Sequence, residues 1–272
     1  MDKQKIIELI VQKLEDNKDR LTENFSGFNP LTTTKYCVLD NLLPNDVVEG
    51  IVNHFPQEKD YSFRDTFRER KYTFAKLDTL KSPICATLTD ALHSLEVVRK
   101  IGEITQISDL ESDPTLYAGG VSRMDKSHFL NPHIDNSHNA DRTKYRRLNL
   151  LYYVTPDIDE NDGGNFELWD DRVTSPVKIA SKFNRLVVME TNKTSWHSVD
   201  PVLSDVRRCC VSNYYFTNKS PTSRNYYHVT SFTGRPEQRL TRIYGSIDNF
   251  LRQTVSSITG KSRGKQSSRH RG

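Results

Sequence analysis

Residues 131–138 read NPHIDNSH. His133 and Asp135 are two positions apart, so on an extended segment both side chains leave the same side, while Ile134 turns the opposite way into packing. An imidazole and a carboxylate on one side can share a divalent metal. The best third ligand is His197 in TSWHSVDPV (194–202), which follows the apolar run RLVVMET (185–191). Two imidazoles and one carboxylate form the facial set that leaves open positions on Fe(II). A lone H-x-D pair is usually chance surface. Here it stands at the start of a β-prone region, a second histidine follows downstream, and a basic strand follows that histidine.

The elements that must hold these residues can be read from apolar periodicity. Residues 3–18 place Ile6, Ile7, Leu9, Ile10, Val11 and Leu14 roughly along one side of an exterior helix. KYCVLDNLL (35–43) reads as a strand leading into a helix at PNDVVEGIVNHF (44–55), with Pro44 at the first helical position. SPICATLTDALHSLEVVRKIG (82–102) reads as one further helix, with Ser82 as its candidate cap. From residue 115 the character changes to short β-prone runs separated by turn signals: TLYAGGVSRM, RRLNLLYYVT, NFELWD, SPVKIAS, RLVVMET and RCCVSNYYFT. That pattern predicts a sandwich or barrel. NYYHVTSFTGRPEQ (225–238) reads as aromatic loop or strand, and 240–258 as an amphipathic helix.

Composition bounds the function classes. Apolar residues make up 35% of the 272, and aromatics at 10% supply much of the core. The net charge of +4 is largely local to the tail 260–272, which carries Lys261, Arg263, Lys265, Arg269 and Arg271 and no acid. That tail reads as solvated and disordered rather than as a nucleic-acid arm. The remaining body is close to neutral, so it implies no nucleic-acid face. Cys37, Cys85, Cys209 and Cys210 form no CxxC pattern, and reduced, buried thiols suggest a cytosolic protein. The N-terminus mixes charge into its apolar run, so neither a signal peptide nor a membrane span is expected.

Five motifs in order, HID, RRLNLLYYVT, DGGNFELWD, HSVDPV and RRCCVSNYYF, resemble the iron- and 2-oxoglutarate-dependent oxygenases, and within them the prolyl 4-hydroxylase-like group. The resemblance covers about residues 117–216. It implies a mixed, mainly β fold: a double-stranded β-helix (a jelly roll, cupin-like) core with flanking N- and C-terminal helices. The expected organisation is 1–110 packing on the core, 111–220 as the core itself, 221–259 as a C-terminal extension and helix, and 260–272 as the tail, in one structural domain overall. The resemblance also implies that His133, Asp135 and His197 hold Fe(II), with 2-oxoglutarate and O2 at the remaining positions.

The far carboxylate of 2-oxoglutarate needs a cation, and the planar fork of arginine meets a carboxylate bidentately. Arg207 and Arg208 are both candidates. Neighbours on a strand face opposite ways, and the family spacing back from the terminal aromatic pair favours Arg208, with Arg207 as the alternative. Tyr153 fits the family tyrosine that bonds the same carboxylate, while Tyr152 reads as core. Asn149 and Leu151 share the strand face of Tyr153 and line the pocket. Thr155 departs from the family pattern, which has Asn there. Asp135 is retained, which argues for hydroxylation over halogenation.

Five further residues are candidates for substrate contact: His128, His138, His228, Arg235 and Trp196. For His138 the plainer reading is loop surface. His228 and Arg235 lie on an aromatic segment that could fold over the barrel mouth. His54 and His93 fall in expected helices and read as structural. The expected activity is hydroxylation of an unactivated C–H bond with succinate and CO2 as coproducts. The substrate is a small molecule or a protein side chain, with specificity in 61–80, 123–130, 136–146 and 219–239. The basic, aromatic run 61–77 suits an anionic or sugar substrate, or else a solvated strand pair. Two rivals stand beside this reading: a cupin-like metal enzyme that uses no 2-oxoglutarate, and a non-enzymatic binding module on the same fold. Oligomeric state is left open.

Overall fold

The computed structural model describes residues 2–222 and 224–259, and the basic tail expected over 260–272 lies outside them. The chain opens with helices α1 (Lys3–Asp16) and α2 (Lys18–Ser26), strand β1 (Tyr36–Asp40) and helix α3 (Asn45–Asn53). The hairpin β2 (Ser62–Asp65) and β3 (Glu69–Phe74) follows, then α4 (Ile84–Leu92), α5 (Leu95–Thr105) and the short β4 (Glu111–Ser112). The β-rich part runs through β5 (Gly120–Met124), β6 (Phe129–Ile134), β7 (Tyr145–Tyr153), β8 (Phe166–Trp169) and β9 (Pro176–Ile179). It continues in β10 (Arg185–Glu190), β11 (His197–Val199), β12 (Arg208–Thr217) and β13 (Ser231–Phe232), and helix α6 (Arg239–Thr259) closes the described chain.

Three expectations about helices are corrected. The first helix stops at Asp16, and a separate α2 follows Asn17, whose amide group turns back to the Lys13 carbonyl at 2.9 Å. The single helix expected over 82–102 is two. His93 ends α4, and Ser94, with extended backbone, begins α5 by accepting a hydrogen bond from the Val97 N–H at 3.3 Å. A serine inside an apolar run is a cap when the backbone before it leaves the helix. Pro44 precedes the first residue of α3 instead of occupying it. His54 and His93 stand just beyond the ends of α3 and α4.

The strands join in one antiparallel path, β1-β10-β7-β12-β5-β3-β6-β11-β8-β9, with β13 added beside β6. The path curls so that its two halves face each other. Leu151 and Tyr153 of β7, Val187 and Met189 of β10 and Cys210 of β12 pack against Phe166, Leu168 and Ile179 of β8 and β9. This is the jelly roll expected from the sequence. On the outer face of the same half, Leu148, Leu150 and Tyr152 of β7 join the large core built with α1–α5. Each fully buried aliphatic side chain there contributes roughly 1.5–3 kcal/mol. Alternation from Leu148 to Tyr153 therefore sends even-numbered residues to the helices and odd-numbered residues to the interior.

Candidate active site

β6 and β11 are direct neighbours, and His197 pairs with His133 across the ladder. That register brings a distant histidine to the H-x-D segment. His133, Asp135 and His197 are all buried, and one ligand atom from each lies within 4.8 Å of the others. Both His133 Nε2 to Asp135 Oδ1 and His197 Nε2 to Asp135 Oδ2 measure 3.7 Å. The Nδ1 atoms face backbone carbonyls: His133 reaches Asn131 O at 3.1 Å and His197 reaches Ser195 O at 2.9 Å. A ring whose Nδ1–H is so engaged presents an Nε2 lone pair, the form that binds metal.

Burial, reinforced by the neighbouring His197, pushes His133 down to about 3. Burial alone would raise the Asp135 carboxyl, but Arg146, then His197, His133 and Lys71, hold it down at about 2. Near neutral pH the cluster thus holds a neutral imidazole and an ionised carboxylate. Asp135 Oδ2 is buried without a hydrogen bond of normal geometry, which fits a carboxylate oxygen turned towards a cation.

Behind the cluster, the interior ends at Arg208, the first residue of β12, which is 3% exposed. Its Nε donates to Gly164 O at 2.6 Å and to Ser181 Oγ at 3.0 Å, while Nη1 faces the Met124 sulfur at 3.5 Å. No carboxylate among the described residues pairs with it. A buried guanidinium with a thioether as its terminal partner calls for an anion. The second glycine of the DGG motif makes room for it. Gly164 has φ +67°, and a Cβ there would stand 2.8 Å from Arg208 Cδ. Tyr153 lies under the guanidinium, its ring centroid 4.9 Å away, and its hydroxyl is buried without a normal hydrogen bond. Burial raises that hydroxyl, so it stays protonated as a donor. Asn149 and Leu151 are buried on the same face. Arg207, the alternative, is exposed.

The structure sorts the other candidates. His138 is buried, not loop surface, with its ring 4.3 Å from Tyr145. The segment carrying His228 is zipped to the loop beside it, Ser137 N donating to His228 O at 3.0 Å and His228 N to Ser137 Oγ at 2.9 Å. Tyr226 stacks on His228 at 5.8 Å and lies 6.3 Å from His138, so these two histidines share one aromatic recess. His128 is packed against Phe63 and Tyr72 of the β2–β3 hairpin instead. Trp196 is half-buried beside His197.

Arg235 does not reach the mouth. It is buried against Glu167 at 2.7 Å and near Ser198 at 3.5 Å, residues that alternate with the inward Phe166, Leu168 and His197 and so occupy the back of that sheet. Its charge is used to fasten the C-terminal extension.

Arg146 was not singled out by the sequence. It is 1% exposed, Nη1 stands 3.4 Å from Asp135 Oδ2, and its guanidinium lies 3.8 Å from the Tyr214 ring centroid. None of its three nitrogens makes a hydrogen bond of normal geometry. A β-bulge explains the miss: Leu148 pairs with Tyr215 but Arg146 with Phe216, so Arg147 is extra and the alternation flips. Strict period 2 would put Arg146 with Leu148 on the helix side.

Residues 119–216 match the 2OG-Fe(II) oxygenase superfamily. The prolyl 3-hydroxylase OGFOD1 of Mus musculus is 24% identical over 188 residues, covering 66% of this chain and 32% of that protein, so the chain aligns with about a third of its relative's length. Among solved structures, a prolyl 4-hydroxylase from Phytophthora capsici superposes with a TM-score of 0.54 at 18% identity, covering 93% of this chain and 77% of that one. The prolyl hydroxylase of Trichoplax adhaerens, solved with a hypoxia inducible factor peptide fragment, gives 0.51 at 18% identity, covering 79% and 90%. Those two likenesses establish a shared fold. The segment similar to the 2OG-Fe(II) oxygenase superfamily contains His133, Asp135 and His197 as well as the buried Arg208.

Proposed function

We propose that this chain is an Fe(II)- and 2-oxoglutarate-dependent hydroxylase in which His133, Asp135 and His197 hold the metal and Arg208 anchors the far carboxylate of 2-oxoglutarate. The observation that carries the reading is one interior with complementary ends: a three-ligand cluster, and a buried guanidinium that lacks an anion. Bound Fe(II) supplies the chemistry that couples O2 reduction and 2-oxoglutarate decarboxylation to C–H oxidation, with succinate and CO2 released. The chain does the rest. Tyr153 donates to the carboxylate on Arg208, and Asn149 and Leu151 wall the cosubstrate. Arg146 orients Asp135 and offers unfilled N–H groups to whatever enters beside it. The apolar cluster around Leu151, Phe166 and Leu168 excludes water from the interior.

The similar proteins are named as prolyl hydroxylases, and we take a prolyl residue in a peptide as the first substrate to test. The recess of His138, Tyr145, Tyr226 and His228 is the wall that would meet it. A cupin-like enzyme without 2-oxoglutarate has no use for an unpaired arginine at the end of its pocket. Four free, buried cysteines support a reducing, cytosolic setting, and no described helix is long and apolar enough to cross a membrane. The test is succinate release. It must require both Fe(II) and 2-oxoglutarate and vanish in His133→Ala; a chain that binds neither contradicts the proposal.

A further inference from the structure

Helix α6 is amphipathic, but its faces are reversed. The polar face packs on the body. Asn249 Oδ1 accepts from Phe232 N–H at 2.9 Å and its amide group donates to Phe232 O at 2.8 Å. Gln253 Oε1 accepts from Val229 N–H at 3.1 Å, Asp248 pairs with Arg68, and Ser256 accepts from Arg142 at 2.7 Å. Gly245 lets the helix approach so closely that a Cβ there would stand 2.6 Å from Phe232 O. The outward face carries Leu240, Ile243, Tyr244, Ile247, Phe250 and Leu251, each 55–72% exposed. A helix that faces only water presents its apolar stripe inward.

We propose that this stripe is where a second copy of the chain binds, α6 against α6. Three features select that occupant. Leu240 and Ile247 are seven apart, as are Ile243 and Phe250 and also Tyr244 and Leu251, the repeat with which one helix packs along another. The six residues, each more than half exposed, together present roughly 600–800 Å², at or above the usual greatest patch of a monomer and close to one partner's share of a standard stable interface. Among the exposed residues of α6 only Arg239 is charged, so two like faces meet without a row of like charges. A membrane-surface helix would instead flank its apolar stripe with Lys and Arg, and here Arg242 and Arg252 belong to the half-buried face.

The pairing has a consequence for the mouth. Phe232, gripped by Asn249, stacks on the His133 ring at 4.9 Å and 14°. Arg68 and Arg142 tie α6 to the β2–β3 turn and to the loop after Asp135. The dimer thus braces three segments that frame the metal cluster. The centre of the stripe falls between Tyr244 and Ile247, so the two copies of Ile247 lie close to the twofold axis.

The test uses the full chain. Sedimentation velocity at micromolar concentration should give twice the chain mass. Ile247→Glu should raise the dimer dissociation constant by at least roughly a hundredfold, the size of a central hot spot, with the far-UV circular dichroism unchanged. As a second arm, Ile247→Cys should give a disulfide-linked dimer on mild oxidation, the four native thiols being buried. A monomeric wild type at tens of micromolar, a dimer that Ile247→Glu leaves intact, an Ile247→Cys chain that does not cross-link, or a monomer that floats with phosphatidylcholine–phosphatidylserine vesicles would each overturn the proposal.

Discussion

Tyr152 and Tyr153 are neighbours on β7, and both are fully buried, yet they serve opposite faces of one sheet. Tyr152 sits in the helix-side core and donates its hydroxyl to Asn184 Oδ1 at 2.8 Å. Tyr153 sits in the interior with its hydroxyl lacking a normal hydrogen bond and Arg208 over its ring. The same contrast holds for the faces as wholes. Along β7 the helix side is apolar with its one hydroxyl satisfied. The interior side collects unsatisfied atoms of Asn149, Tyr153 and Arg146. A folded chain tolerates buried polar groups without partners where a ligand completes them, so the difference separates the face that stabilises from the face that binds.

The largest expected effect falls on the cluster of His133, Asp135 and His197. His133→Ala and Asp135→Ala should each abolish turnover and lower Fe(II) affinity by more than roughly a hundredfold, while the protein stays folded. If either variant keeps turnover, the cluster is not the metal site. Next in size is Arg208. Arg208→Ala should raise the KM for 2-oxoglutarate by about 30-fold or more, with Arg208→Lys recovering part of it, as expected for one half of a buried charge pair. Arg207→Ala should leave that KM unchanged, since the residue is exposed. Steady-state succinate release measures all three.

A finer comparison uses the two hydroxyls. Tyr153→Phe should raise the KM for 2-oxoglutarate about tenfold, the value of a hydrogen bond to a carboxylate, without lowering thermal stability. Tyr152→Phe should do the reverse. It should cost about 1 kcal/mol of stability in denaturant melts, leaving the KM alone, because Asn184 Oδ1 still accepts from Leu43 N–H at 3.1 Å. Equal effects of the two substitutions would erase the distinction between the faces.

The effect furthest from turnover is in pH. Burial pushes His228 down to about 4, so the folded chain takes up that proton later than the unfolded chain, whose imidazole titrates near 6.5. The stability tied to neutral His228 is present above pH 6.5 and is lost as pH falls towards 4. Melting temperature should decline over that window more steeply in the wild type than in His228→Asn. Parallel declines would place the pH dependence elsewhere.

Much of this was legible in the sequence because it follows from local rules. The H-x-D spacing puts His133 and Asp135 on one side of a strand, and period 2 along β7 assigns Asn149, Leu151 and Tyr153 to one face. What was not legible depends on events that local rules do not encode. A bulge at Arg147 turns Arg146 inward against the alternation. Ser94 breaks an apolar run that otherwise reads as one helix. The buried acid Glu167 on the back of β8 captures Arg235 before it can reach the mouth. The amphipathic pattern of α6 was readable, but not that its polar side faces the body, since that depends on backbone groups of residues 229–232 that require side-chain partners.

The most direct test of the central claim is anaerobic calorimetry of 2-oxoglutarate binding, with and without Fe(II), in the wild type, Asp135→Ala and Arg208→Ala. One 2-oxoglutarate per chain should bind, tightly only when Fe(II) is present and more weakly on loss of either residue. Binding that ignores the metal, or that survives unchanged in Arg208→Ala, would contradict it.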